Sequence, residues 1–333
     1  MANSLITSEI DFDAEGRQTG YLRVPNSTHR SAYGWIGVPA ICLRNGDGPT
    51  VLMLAGNHGD EYEGQIALSR LAQSLRPEDI QGRLILLPAL NAPAAEAGTR
   101  TSPVDDGNLN RSFPGDPNGS PTQMIAHYVE TVLLPLCDVL IDLHSGGSSL
   151  YYPPTLLRGQ GGTAQDVSKL RLLQHAFDLP YAWVFTGVAG RQSTGRTAMA
   201  GANRQGVVSI MAELGGAGSV DPTVLAATER GLRRILHSLE MLPGYIPDAQ
   251  RGTRELHSQG SVYAYDVGIF EPVLNIGAPV AKQDLVGLIH TPLVPWAPPI
   301  EIRSPYDGIV LCKRAMGQVQ RGDAVAQIAR DAD

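Results

Sequence analysis

The stretch Leu54–Gln65, LAGNHGDEYEGQ, ends a short apolar run and then sets His58 and Glu61 three residues apart. His144 closes a second apolar run, CDVLIDLH, and SGG follows it. An imidazole or carboxylate at the end of a buried strand either bonds nearby backbone or serves as a ligand. Catalytic zinc sites use three protein ligands, often two His and one Glu, and leave a position for water. In an open α/β sheet, ligands gather beyond the carboxyl ends of the strands. Any one strand-end histidine is explained about as well by backbone bonding. His–x–x–Glu together with a second strand-end His favours a metal site. Asp142, two residues before His144, is either an acceptor for a ligand imidazole or a sheet-edge Asp satisfied by backbone.

Between these strands lies residues 91–120, NAPAAEAGTRTSPVDDGNLNRSFPGDPNGS, rich in Gly, Pro, Asn and Asp. Long loops inside compact domains are usually functional or disordered. This one carries Arg100, Asn110 and Arg111. An arginine taken alone is best read as solvated surface, but a place between two candidate ligand strands reverses that reading. Arginine can grip a carboxylate through two parallel bonds, which lysine does not reproduce. Glu213, in SIMAELGG, ends an apolar run where a buried carboxylate needs a partner.

The elements that must hold these groups follow from pattern. Residues 9–45 read as strands joined by the turns DAEG and RNGDG. Buried strands are expected at 50–56, 83–90, 137–144, 182–188 and 207–215. Helices are expected at 63–75, at 121–136, over LRLLQHAF, and after DPTVLAATERGLRRILHSLEML begins. That last segment has an Asp cap, a Pro at the first helical position, and one stripe of Leu225, Leu232, Leu236 and Leu239. Alternating strands and helices imply an α/β domain, residues 1–245, built on a mostly parallel mixed sheet flanked by helices.

LPGYIPDAQRGTRE (242–255) reads as a boundary. Beyond it, GAPVAKQDLVGLI (277–289) and GQVQRGDAVAQIA (317–329) repeat Gly, Val, Asp and Ile at related spacings. Two such halves imply a smaller, pseudo-symmetric all-β domain, a barrel or sandwich over residues 256–330. It resembles the lipoyl and biotinyl carriers, but residues 290–303 contain no Lys to modify.

The chain of 333 residues is 43% hydrophobic and carries a formal charge of −7. With no Lys/Arg block, neither nucleic acid nor an anionic membrane is an expected partner. Cys42, Cys137 and Cys312 lie far apart, which fits a reducing compartment without disulfides. The N-terminus is too polar for a signal peptide, and no apolar run approaches the ~20 residues of a membrane span. A cytoplasmic protein is expected.

GNHGDEYEG, AGTRTSPVDDGNLNRSFPG, IDLHSGG and MAELGG, in this order, resemble the zinc-carboxypeptidase-like clan, in particular its aspartoacylase and succinylglutamate desuccinylase branch. The likeness covers nearly the whole chain. Within the branch, the text around DFDAEGRQTGYLRVP and AGNHGDEYEG is most similar to the N-acetyl-L-2,4-diaminobutyrate deacetylases of ectoine degradation. The resemblance implies one Zn2+ per chain on His58, Glu61 and His144. It implies Glu213 as general base and acid, and Arg100 at the oxyanion. Asn110 and Arg111 match the pair that holds the substrate's α-carboxylate. The C-terminal β domain then caps the site and restricts it to small N-acyl amino acids; a homodimer is carried by the likeness alone. The branch commonly reads Asp-Leu-Asn-Arg where this chain has Asn108, which leaves any contact made by that Asp in doubt.

The expected chemistry is hydrolysis of a small N-acyl amino acid, foremost N-acetyl-diaminobutyrate. An aspartoacylase or desuccinylase with an acidic substrate is the second reading, and Arg191 and Arg196 would suit it. A non-catalytic binding protein on the same fold is the third. For the diaminobutyrate ammonium, Glu271, Asp105 and Asp106 are possible partners; Tyr151 and Tyr152 either line the pocket or pack.

Overall fold

The computed structural model describes residues 4–185 and 195–332. Its first part contains β1 (Thr7–Ser8), β2 (Gly16–Pro25), β3 (Trp35–Asn45), β4 (Thr50–Ala55), β5 (Gly82–Leu87), β6 (Val139–His144), β7 (Leu150–Arg158), β8 (Tyr181–Val184) and β9 (Val208–Gly216). Among them run α1 (Tyr62–Ser74), α2 (Ala92–Ala97), α3 (Pro121–Tyr128), α4 (Ala164–Phe177), α5 (Ala198–Arg204) and α6 (Pro222–Ser238). The second part is all strand: β10 (Arg254–Tyr263), β11 (Gly268–Pro272), β12 (Pro279–Val280), β13 (Leu285–His290), β14 (Ile300–Arg303), β15 (Gly308–Arg314), β16 (Gln318–Val319) and β17 (Ala324–Asp331).

Every residue of β4 and β6 is buried, as strands covered on both faces must be. One face packs Met53, Ile141 and Ile210 against α1, α4 and α6. The other packs Leu52, Leu54 and Leu140 against α3 and its extension. α6 starts as its sequence implies. Asp221 Oδ1 accepts N–H bonds from Thr223 (2.8 Å) and Val224 (3.3 Å), with Pro222 at the first helical position.

The main sheet runs β1-β2-β3-β5-β4-β6-β9-β7-β8-β10-β17-β15-β12. Only β5-β4-β6-β9 and β7-β8-β10 are parallel runs. The expectation of a mostly parallel sheet therefore holds for the centre and not for the whole. β2 and β3 form a hairpin and β7 runs antiparallel to β9. The links before β3 and β7 are too short for the crossover that a parallel pair requires. β7 is itself an addition to the sequence reading. Its Pro153-Pro154 argues against a strand, and the pair sits where the β7–β9 register shifts, between Tyr152 and Thr155. The helix expected over 121–136 is three kinds of turn: α3, a wide π-turn (Val129–Leu133) and a 3₁₀ turn (Leu134–Leu136) holding Pro135. The loop 91–120 contains α2 and a 3₁₀ turn at Leu109–Arg111.

β10 extends the main sheet by pairing with β8 and with β17. β15 and β12 continue the main sheet beyond β17, while β14-β13-β11-β16 form a second sheet; the C-terminal strands enclose a core that includes Val262, Phe270, Ile289 and Ile328. Leu256, Ile309, Leu311 and Ala329 bury a seam against Tyr181 and Trp183. The sequence repeat has a physical counterpart. In each copy a two-residue strand leads to a turn in which an Asp Oδ2 accepts an N–H three residues earlier: Asp284 from Ala281 (2.8 Å) and Asp323 from Gln320 (2.9 Å).

Candidate active site

β4, β6 and β9 are neighbouring parallel strands, and the ends of β4 and β6 lie beside Glu213 of β9, which runs on to Gly216. His58 and Glu61 follow β4, His144 ends β6, and Glu213 lies beside His144 across the β6–β9 ladder. The turn carrying His58 and Glu61 presses on the end of α2. A Cβ on Gly59 would come 1.8 Å from the Ala94 carbonyl oxygen, and the Gly59 N–H donates to Thr99 O at 2.8 Å. Asp60 Oδ2 accepts the N–H (2.7 Å) and the hydroxyl (2.9 Å) of Ser148, which ties this turn to the turn after β6.

His58 Nδ1 lies 2.7 Å from Glu61 Oε1, and His144 Nδ1 lies 2.8 Å from Glu61 Oε2. All three side chains are buried, and their ligand atoms lie within 4.8 Å of one another. The far nitrogens are held separately. His58 Nε2 is 3.1 Å from Asn108 Oδ1, and His144 Nε2 is 3.0 Å from Asp142 Oδ2. An Nε2–H donated to those acceptors leaves the Nδ1 lone pairs facing a common point, the arrangement that ligand histidines need. The donor set fits a divalent metal ion of the N/O-binding kind. Burial acts to raise the Glu61 carboxyl, but the two imidazoles outweigh it and hold Glu61 well below the usual range. Burial likewise acts to lower His144, and Asp142 and Glu61 more than reverse that.

Glu213 has the opposite balance. Burial first, then the Glu61 charge, push it up to about 8, with His144 and Arg100 pulling the other way. Its Oε2 is buried without a hydrogen-bond partner among the described residues. A carboxyl of that kind suits proton transfer. Arg100, half exposed, donates from Nη1 to Glu61 Oε1 at 3.4 Å. Asn110 is buried, with Nδ2 3.1 Å from His144 Nε2 and Oδ1 accepting the Ala198 N–H at 2.9 Å. Burial, and then Arg100 and Arg196 nearby, lower the Arg111 guanidinium. The Glu213 and Glu61 carboxylates act on Arg111 in the opposite direction.

All seven residues singled out for catalysis, metal and substrate thus share one neighbourhood. Asn108, where the branch commonly has Asp, places its Oδ1 3.1 Å from His58 Nε2. Asn57 went unnoticed: it is buried, and its Nδ2 donates to Asp142 Oδ1 at 2.7 Å, which fixes the carboxylate behind His144. Its only signal was its position before His58. The candidates for an ammonium partner fare differently. Asp105 is engaged by Thr122 N–H and hydroxyl, each at 2.8 Å. Glu271 is exposed and pairs with His290 at 2.6 Å, while Asp106 is exposed. Tyr151 donates to Asp221 (3.0 Å), and Tyr152 is buried, donating to Gln327 (2.9 Å). Arg191 lies outside the described residues.

Residues 47–239 match the succinylglutamate desuccinylase/aspartoacylase catalytic domain. The chain is 38% identical over 329 residues to the N-alpha-acetyl-L-2,4-diaminobutyric acid deacetylase of Halomonas elongata, covering 98% of this chain and 95% of that protein. It superposes on a succinylglutamate desuccinylase/aspartoacylase from Rhodobacter sphaeroides with a TM-score of 0.92 and 39% identity, over 99% of this chain and 100% of the other. A product-bound ectoine utilisation protein from Ruegeria pomeroyi gives a TM-score of 0.91 at 36% identity, over 98% of each chain. With its central sheet, flanking helices and further β region shared across these alignments, the chain belongs to the succinylglutamate desuccinylase/aspartoacylase family.

Proposed function

We propose that this protein is a zinc-dependent amidohydrolase that releases acetate from N-acetyl-L-2,4-diaminobutyrate in ectoine degradation. The carrying observation is the convergence of two histidine Nδ1 atoms on Glu61 while their Nε2 atoms are held by Asn108 and Asp142. His58, Glu61 and His144 would hold one Zn2+, which lowers the pKa of a bound water from 15.7 to roughly 7. Glu213 would take a proton from the attacking water as its oxygen bonds the acyl carbon, and would return it to the leaving amine nitrogen as the amide C–N bond breaks. Arg100 faces the oxygen on which negative charge develops; losing one such donor typically costs ~2.7–4 kcal/mol. Asn110 and Arg111 bind the free α-carboxylate and so orient the amide.

The relationship to zinc carboxypeptidases and the role of residues 256–330 as a cap over the site belong to the same proposal, as do a cytoplasmic location and a homodimer. Tyr152, on the strand next to Glu213, already bonds Gln327 of the C-terminal part, which supports the cap. The nearness of Arg196 to Arg111 favours one second reading, an N-acyl amino acid with an acidic side chain.

Metal analysis with an acetate- and succinate-release panel tests the proposal. N-acetyl-diaminobutyrate should be hydrolysed fastest, ahead of N-acetylaspartate and N-succinylglutamate, with about one zinc per chain. Faster turnover of N-acetylaspartate would transfer the assignment to the second reading, and no turnover of any of the three would sink both.

A further inference from the structure

Glu130 and Arg204 have no part in the chemistry above. Glu130 lies on the π-turn after α3, with its side chain 5% exposed. Wide turns of this kind are rare and recur at functional sites. Its two oxygens accept from Arg204 Nε and Nη2, both at 2.7 Å, a two-point charged pair. Arg204 ends α5, and its remaining nitrogen donates to the Gly195 carbonyl at 2.6 Å. One guanidinium thus holds both the last turn of α5 and the chain that enters it. The middle of α5 is seated just as closely: a Cβ on Gly201 would stand 2.9 Å from Glu130 Oε2 and 3.2 Å from the Phe113 ring.

The other end of α5 meets the site. Thr197 Oγ1 caps the helix by accepting the Ala200 N–H, and the Ala198 N–H donates to Asn110 Oδ1. A carboxamide has one accepting and one donating end. Fixing Oδ1 on a backbone N–H turns Nδ2 inward, 3.1 Å from His144 Nε2. With the amide turned over, two N–H groups would oppose each other at Ala198.

We infer that Glu130 and Arg204 are positioning residues for substrate binding: they seat α5 so that Ala198 N–H locks the Asn110 amide with its donor end toward the substrate carboxylate. This rests on the proposed function in taking Asn110 as a carboxylate ligand. It assigns a binding role to an ion pair at the other end of α5, buried at Glu130 and exposed at Arg204.

The test is a double-mutant cycle, which isolates coupling between two sites. Glu130→Gln and Arg204→Lys keep size and polarity but remove the two-point charged pair. In the zinc-loaded enzyme each should raise KM about tenfold, with kcat within about threefold and zinc content unchanged. In an Asn110→Ala background the same substitutions should change KM by less than about twofold. Equal effects in both backgrounds, or an unchanged KM in the wild-type background, would overturn the inference. Amide hydrogen exchange reads the anchor without turnover. The Ala198 amide should exchange faster in Glu130→Gln, Arg204→Lys and Asn110→Ala, and unchanged protection in the first two would overturn the anchor. A wild-type protein that releases no acetate would sink the proposed function alone, because the exchange arm still judges α5.

Discussion

Whether His58 and His144 are ligands is decided by what holds their far nitrogens. Asn108 and Asp142 do so in this chain with different chemistry, a neutral amide and a carboxylate. Removing such an outer contact typically costs ~10–100-fold in metal affinity. Asn108→Ala should weaken zinc by about that much in a chelator competition, whereas Asn108→Asp should keep it; equal zinc affinity in wild type and Asn108→Ala would show that His58 needs no such support. His144→Ala should lose metal and activity yet stay folded, and full zinc occupancy in that variant would refute the ligand assignment. Glu213→Gln should keep zinc and substrate binding while kcat falls by about 10² or more; near-normal turnover would mean that another group carries the proton. The grouping of His58, Glu61 and His144 was legible because His–x–x–Glu and a strand-end His are rare combinations. Asn57 and the Ala198 N–H were not, because an asparagine beside a ligand and a backbone amide leave no distinctive residue pattern.

At the scale of elements, the loop between α2 and α3 carries Arg100, Asn110 and Arg111, so on the proposed function its rigidity sets substrate affinity. Asp105 is its main tie. Burial acts to raise that carboxyl, but hydrogen bonds from Ser120, Thr122 and Ser102 outweigh it and leave it below the ordinary value. A depressed carboxyl stabilises above its unfolded value near 3.9 and loses that effect as pH falls through the lower folded value. Bonds to a charged group contribute on the order of 1.5–3 kcal/mol. Asp105→Ala should therefore speed tryptic cleavage at Arg100 and Arg111 and raise KM at neutral pH; unchanged cleavage would show that the loop is held elsewhere. The composition of this segment marked it as a candidate functional loop but concealed its short helical turns, which are brief and flanked by Pro and Gly. β7 was concealed for a sharper reason. Two prolines contradict a strand unless a bulge takes them, and a bulge is a property of the pairing, not of the segment.

At the scale of the molecule, the composition change at 242–255 marks a change of architecture while the hydrogen-bonded sheet continues through it. β10 adds to β8, and Leu256, Ile309, Leu311 and Ala329 cover Tyr181 and Trp183. A chain ending at residue 253 should expose a strand edge and this apolar seam. It should aggregate or melt well below the full chain, and a soluble fragment of equal Tm would show that the two parts are independent. The change to strands alone was legible as a shift from helix-length to strand-length patterns; the shared sheet was not, because pairing between distant strands leaves no local signal. The same arrangement has a consequence for biosynthesis. β8 and β10 lie far from β17 in sequence, yet Leu256 pairs with Asp331 and Tyr263 with Ala324. During translation the free edge of β10 must wait, unpaired, until residues 324–331 have left the ribosome. At ~5–20 residues per second, that is a window of seconds in which the nascent chain presents a sticky strand. Slow codons between residues 264 and 323 should therefore lower soluble yield more than the same codons placed within α1.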